Sequence, residues 1–350
     1  MSGFLERDDN ILLMTNPPVF PGFEHRGDRS CSREDYKRLA DAGIKTAVMY
    51  TNWGLIEREF GVRDWSYLDK AIEDAASAGL KVLLSDYTFG TPCLPDEWYV
   101  ASQNGVEKYL NQLSIWNNEA QAYVADFTRE MAKRYVNDKV NIFCTQAAYG
   151  ESYLLHDVQN IFFDKAALAS FRLYAGYDTK PLPYLYRTPE NEELTDNWIG
   201  NSIVEVMLKR NELIMKLNGR NEIWTSGHHL MVQQGAGNGS KFIRWVLDAY
   251  KENFPDVKIH GIQYTVWVHG NNYNYRTMLK EDIAKYGIDF YGGAEYCDGI
   301  RKYLPALLAS EFRGFIVAPF SVLTGFNKLE SWMVENIKHA NEAINERQGK

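Results

Sequence analysis

Along the chain, short apolar runs rich in β-branched residues alternate with amphipathic stretches that repeat every three to four residues. That alternation predicts strands joined by helices. The runs at 19–23, 44–50, 81–87, 140–147, 222–227, 258–268, 288–296 and 314–322 predict eight strands. Most are apolar at consecutive positions, as expected of strands covered on both faces in a parallel sheet. The first helix is expected from Ser32, whose Ser-x-x-Asp start supplies a reciprocal cap with Asp35, and Gly43 is placed to end it. Further helices are expected from Trp65, ending at Gly79, and over 119–135, 202–217, 241–253 and 329–344. Eight strand-helix units leave no residues for a second sheet. The pattern therefore predicts an α/β chain folded as one (β/α)8 TIM barrel, a single domain over 1–350. Residues 152–199 are read as an insertion or lid after strand four, containing a helical stretch (DKAALASFRLYAGY) and an acidic loop (PENEELTDNW).

Composition narrows the function classes. The 350 residues are 45% hydrophobic and 24% charged, enough to bury a large core. Lys and Arg number 38 against 46 Asp and Glu, and the net charge of −8 argues against a nucleic-acid partner. No window approaches the ~18 apolar residues of a membrane span, and the start MSGFLERDDN lacks the basic-then-apolar order of a signal peptide, so a cytoplasmic chain with no membrane partner is expected. Cys31, Cys93, Cys144 and Cys297 form no Cys-x-x-Cys pair, and His228-His229 has no third ligand at metal-binding spacing, so neither metal nor cofactor is expected. Aromatic residues make up 14%, and their flat faces suit the apolar side of sugar rings.

In a barrel of this type the chemistry sits just past the carboxyl end of each strand. The candidates there are Glu24, Arg26, Trp53, Asp86, Gln146, Glu151, His228, His229, Tyr264, Trp267, His269, Glu295 and Phe320. Glu151 after strand four and Glu295 after strand seven are the pair of interest. Hydrolysis of a glycosidic bond needs a protonated carboxyl beside the leaving oxygen and an ionised one facing the anomeric carbon. For Asp86 two roles stand open, holding a substrate hydroxyl or capping the next loop. For Trp53, Trp267 and Phe320 the alternatives are stacking on a sugar face or packing at the barrel top. Tyr264 and His269 are candidates to hydrogen-bond Glu295. Glu57 and Glu59 with Arg58 read as a solvated ion-pair cluster.

The run TNWGLIEREFGVRDWSYLDKAIEDAASAGLKVLL resembles the second unit of clan A glycoside hydrolases, most of all the β-galactosidase-type barrels of family 42. The stretch NNEAQAYVADFTREMAKRYVNDKVNIFCTQAAYGE is similar to the helix and strand that carry the clan's acid/base. The resemblance implies a (β/α)8 fold, a saccharide substrate, Glu151 as acid/base and Glu295 as nucleophile of a retaining mechanism. It departs at Gly150, where the clan usually has Asn, at Met49 and Tyr50, where an arginine often stands, and at Pro319-Phe320, in place of a tryptophan. An inverting hydrolase and a non-catalytic glycan-binding barrel are the alternatives those departures leave.

Overall fold

The computed structural model describes residues 3–15, 31–86, 93–101, 113–144, 164–176, 189–226, 239–263, 273–294, 297–317 and 329–349. The first elements are β1 (Ile11–Thr15), α1 (Arg33–Asp41), β2 (Thr46–Tyr50), α2 (Trp53–Ile56), α3 (Ser66–Ser77), β3 (Lys81–Ser85), α4 (Asn118–Tyr135) and β4 (Val140–Phe143). They are followed by α5 (Lys165–Ala175), α6 (Pro189–Asn218), β5 (Glu222–Ser226), α7 (Gly239–Asn253), β6 (Lys258–Gln263), α8 (Tyr273–Tyr286), β7 (Asp289–Ala294), α9 (Cys297–Leu308), β8 (Gly314–Val317) and α10 (Ser331–Arg347).

The eight strands are parallel, in the order β4-β3-β2-β1-β8-β7-β6-β5, and the chain is a (β/α)8 TIM barrel. Alternation along each strand builds two layers. Leu12, Val48, Leu83, Phe143, Trp224, Ile262, Tyr291 and Ile316 fill the interior, one from each strand, with Tyr50 and Phe4. Residues of the other parity, among them Leu13, Met49, Leu84, Ile142, Ile223, Phe290 and Val317, pack outward under the helices. Both faces are apolar for that reason, which is why the strands read as near-continuous hydrophobic runs.

Two local expectations hold in detail. Ser32 and Asp35 form the reciprocal cap of α1, and Gly43 follows it at φ 102°, a backbone conformation that suits glycine. Two others are corrected. The strand that pairs with β2 and β8 is 11–15, whereas 19–23 lies outside the described residues. The acidic stretch PENEELTDNW is the first third of α6, not a loop. Its Trp198 and Ile199 are buried against the core, Trp198 stacking on Trp116 at 4.5 Å, so tertiary packing holds a segment whose polar composition suggests solvent.

Among the described residues no ladder joins β4 to β5, yet the two strands lie side by side. Asn218, the last residue of α6, occupies this seam: its side chain accepts from Ile142 N at 2.9 Å and donates to Ile142 O at 2.6 Å, as a neighbouring strand would. Arg220 adds a bond to Asn141 Oδ1 at 3.3 Å.

Candidate active site at the carboxyl ends of the strands

Of the thirteen site residues expected from the sequence, the described structure includes Trp53 and Asp86. Glu24, Arg26, Gln146, Glu151, His228, His229, Tyr264, Trp267, His269, Glu295 and Phe320 lie outside the described residues. In sequence, both glutamates stand after the carboxyl ends of described strands. Glu295 directly follows Ala294, the last residue of β7, and Glu151 follows β4.

The β2 corner is built on Asn52, whose φ of 48° and ψ of 64° make it the one left-handed non-glycine residue among those described. This turn drives Trp53 inward, where it has no exposed surface and stacks on Phe127 at 4.1 Å, with Tyr123 at 5.9 Å. Its indole N–H donates to Glu57 Oε2 at 2.8 Å. Of the two roles open to Trp53 the structure therefore has the packing one, because the ring is spent on its neighbours.

Glu57 corrects the expectation of a solvated cluster. Arg58 and Glu59 are exposed, but the Glu57 side chain has no exposed surface. Besides the Trp53 indole it accepts hydrogen bonds from Gly61 N at 2.8 Å, from Arg63 Nε at 3.0 Å and from the Tyr123 hydroxyl. Burial by itself raises its carboxyl, but the bonds from Tyr123, Trp53, Gly61 and Arg63 outweigh that and hold it below the ordinary carboxylate range. Burial and the Glu57 charge together push the Tyr123 phenol up to about 12. Arg63 continues to Glu130, which also accepts from Trp65 Nε1 at 2.9 Å. The sequence held one signal for this: Trp53 and Glu57 stand four apart across a helical turn, on one face.

Asp86 directly follows β3 and is 1% exposed. Its N–H donates to Phe143 O at 3.0 Å, and its Oδ2 accepts from Arg210 Nη2 of α6 at 2.5 Å. The carboxylate is thus matched by a guanidinium 124 residues away in sequence, a partner no local pattern announces. Together the two buried carboxylates pin the β2 corner to α4 and the β3 corner to α6. Among the described residues no group of three or more His, Cys, Asp or Glu side chains is placed to hold a metal ion, and no helix is long and apolar enough to cross a membrane.

Residues 23–174, under half of the chain, match the family 42 glycoside hydrolase model described as beta-galactosidase. Seventy residues are 39% identical to a β-galactosidase of Thermus thermophilus, and equally to the β-galactosidase BgaA of a Thermus species. That alignment takes in 19% of this chain and spans 10% of each relative's length. A β-galactosidase of the Antarctic haloarchaeon Halorubrum lacusprofundi superposes with a TM-score of 0.62 at 13% identity, over 96% of this chain and 58% of its own. The catalytic domain of β-amylase from Paenibacillus polymyxa gives 0.58 at 14% identity, over 92% and 98%. These structural likenesses are likenesses of fold. In sequence over 23–174, and in its barrel over nearly its whole length, the chain resembles the family 42 glycoside hydrolases of clan A.

Proposed function

We propose that the chain is a retaining glycoside hydrolase that cleaves a β-glycosidic bond, with Glu151 as acid/base and Glu295 as nucleophile. One observation carries this reading: the family match runs through β4 and takes in Glu151, in a barrel whose β7 ends one residue before Glu295. Glu151 gives its proton to the leaving oxygen while the Glu295 carboxylate attacks the anomeric carbon. The glycosidic C–O bond breaks and a glycosyl ester forms. Water, deprotonated by Glu151, then attacks the same carbon, freeing Glu295 and restoring the acid. This route asks for carboxyl groups about 5 to 5.5 Å apart. Glu24, Arg26, Gln146, His228, His229 and Trp267 are proposed as contacts to the saccharide. Phe320 is proposed as a stacking surface, and Tyr264 and His269 as donors that keep Glu295 ionised. The Asp86–Arg210 pair ties the end of β3 to α6.

Gly150, in place of the asparagine that precedes the acid/base in the clan, favours a second reading in which Glu295 activates water and the product anomer is inverted. A panel of aryl glycosides differing in sugar and anomer finds the substrate, and NMR of the first-released anomer separates retention from inversion. Glu151→Gln and Glu295→Gln are each expected to lower kcat/KM by about three powers of ten or more. Glycan binding without turnover across the panel sinks the hydrolase reading, and turnover that survives both substitutions sinks the assignment of Glu151 and Glu295.

A further inference from the structure

At the end of the barrel opposite the mouth, residues 3–10 lie across the amino ends of the strands. Phe4 is 3% exposed and enters the barrel interior. Its N–H donates to the Glu222 carboxylate at 2.9 and 3.2 Å, and its carbonyl accepts from Lys81 Nζ at 3.0 Å. Lys81 also pairs with Glu6 and Asp9, the Tyr291 hydroxyl donates to Asp9 O, and Arg313 donates to the carbonyls of Glu6 and Arg7. At Gly314 the approach is so close that a Cβ would stand 1.9 Å from Asn10 O.

Into this floor projects His260 of β6, 1% exposed and stacked on Trp224 at 4.1 Å, with neither ring nitrogen hydrogen-bonded. Nε2 lies 3.9 Å from Glu222 Oε1 and Nδ1 lies 3.7 Å from Asp289 Oδ2. Both distances are too long for hydrogen bonds, yet a charged ring would draw both carboxylates in. The charged groups around it are Glu222 from β5, Asp289 from β7, Lys258 on its own strand and Arg313 from the turn into β8. The terminal segment adds Glu6 and Asp9, both taken by Lys81. Glu222 is held by the Phe4 amide, and Asp289 by Lys258 at 3.3 Å. Burial first, then the cations Lys258 and Arg313, keep the imidazole neutral far below its ordinary range, at about 3.

We infer that this floor is an acid-released latch, in which a proton taken up by His260 turns Glu222 from the Phe4 amide to the imidazolium and lifts residues 3–10 from the barrel. The Glu222 carboxylate serves one of two partners. With the ring neutral it caps the Phe4 amide and the floor is closed. With the ring charged the ion pair forms, and the amide loses its acceptor. The closed floor refuses the proton and the open one accepts it, so opening and protonation are one linked event.

Hydrogen exchange on the full chain tests this, with opening constants measured for peptides covering residues 3–12 and, as a reference, 118–135. The expected result is a tenfold rise in opening of 3–12 for each pH unit below about 6.5, one proton per opening, with 118–135 unaffected. His260→Phe, which keeps the stack on Trp224, is expected to flatten that rise. Opening of 3–12 that ignores pH, falls on acidification, or keeps its slope in His260→Phe overturns the latch. The wild-type chain supplies a check that needs no variant: a His260 ring that charges near 6.5 by NMR while 3–12 stays protected also overturns it.

Discussion

Glu57 at the mouth and His260 at the floor are both ionisable, both almost without exposed surface, and both flanked by opposite charge, yet they resolve burial in opposite ways. Glu57 gathers four donors and stays ionised, its desolvation offset by hydrogen bonds. His260 makes none and stays neutral, its nearest carboxylates bound to other partners. Burial is common to both. What decides the charge state is whether the neighbouring polar groups are aimed at the buried group or away from it. The contrast also separates a corner built to stay shut from one that a single proton can disturb.

The hardest way to break the comparison is to strip Glu57 of its cation. Arg63→Ala leaves a buried carboxylate without its guanidinium and is expected to cost about 3–5 kcal/mol in urea unfolding; a loss under about 1 kcal/mol would mean that Glu57 takes up a proton or water at little cost. Tyr123→Phe removes one charge-assisted bond from the same oxygen that Gly61 N holds, and is expected to cost about 1.5–3 kcal/mol. The pH dependence sharpens the contrast. His260 has a folded value below its unfolded one, so the stability of its neutral form is whole above about 6.5 and falls by about 1.4 kcal/mol per unit as pH drops toward about 3. Glu57, also depressed, gives stability that is present above its unfolded value and lost only as pH falls below the ordinary carboxylate range. Between pH 6.5 and 5, therefore, the difference in denaturation midpoint between wild type and His260→Phe is expected to widen as the pH falls. The smallest effect is His260→Phe at pH 7, within about 1 kcal/mol, because an apolar ring of similar shape replaces one that makes no hydrogen bond.

The barrel was legible because its evidence is periodic and local. Apolar runs mark the strands from β2 to β8 almost to the residue at their amino ends, and the Ser32–Asp35 cap is written in four consecutive letters. The misreadings share one cause. Ile11–Thr15 is a short run directly after a charged stretch, and its place is fixed by Thr46 of β2 and Phe315 of β8, distant in sequence. The front of α6 is polar along the chain and helical through Trp198 docking on Trp116 and Phe171. Glu57 looks solvated beside Arg58 and Glu59 until Tyr123, 66 residues on, closes over it. At the candidate site the same limit holds: residue type points to Glu151 and Glu295, whereas the Asp86–Arg210 pair arises from the approach of α6 to β3, which no spacing encodes.

Asn218 carries a consequence for how such a cylinder tolerates change. Among the described residues every other neighbouring pair of strands is laced by main-chain bonds, whereas the joint between β4 and β5 carries the Asn218 amide with Arg220 beside it. A strand edge clipped in this way is shielded from pairing with another molecule. The longest excursion in the chain, 144–221, begins and ends at that joint, the place where the ring asks least of the residues that bridge it.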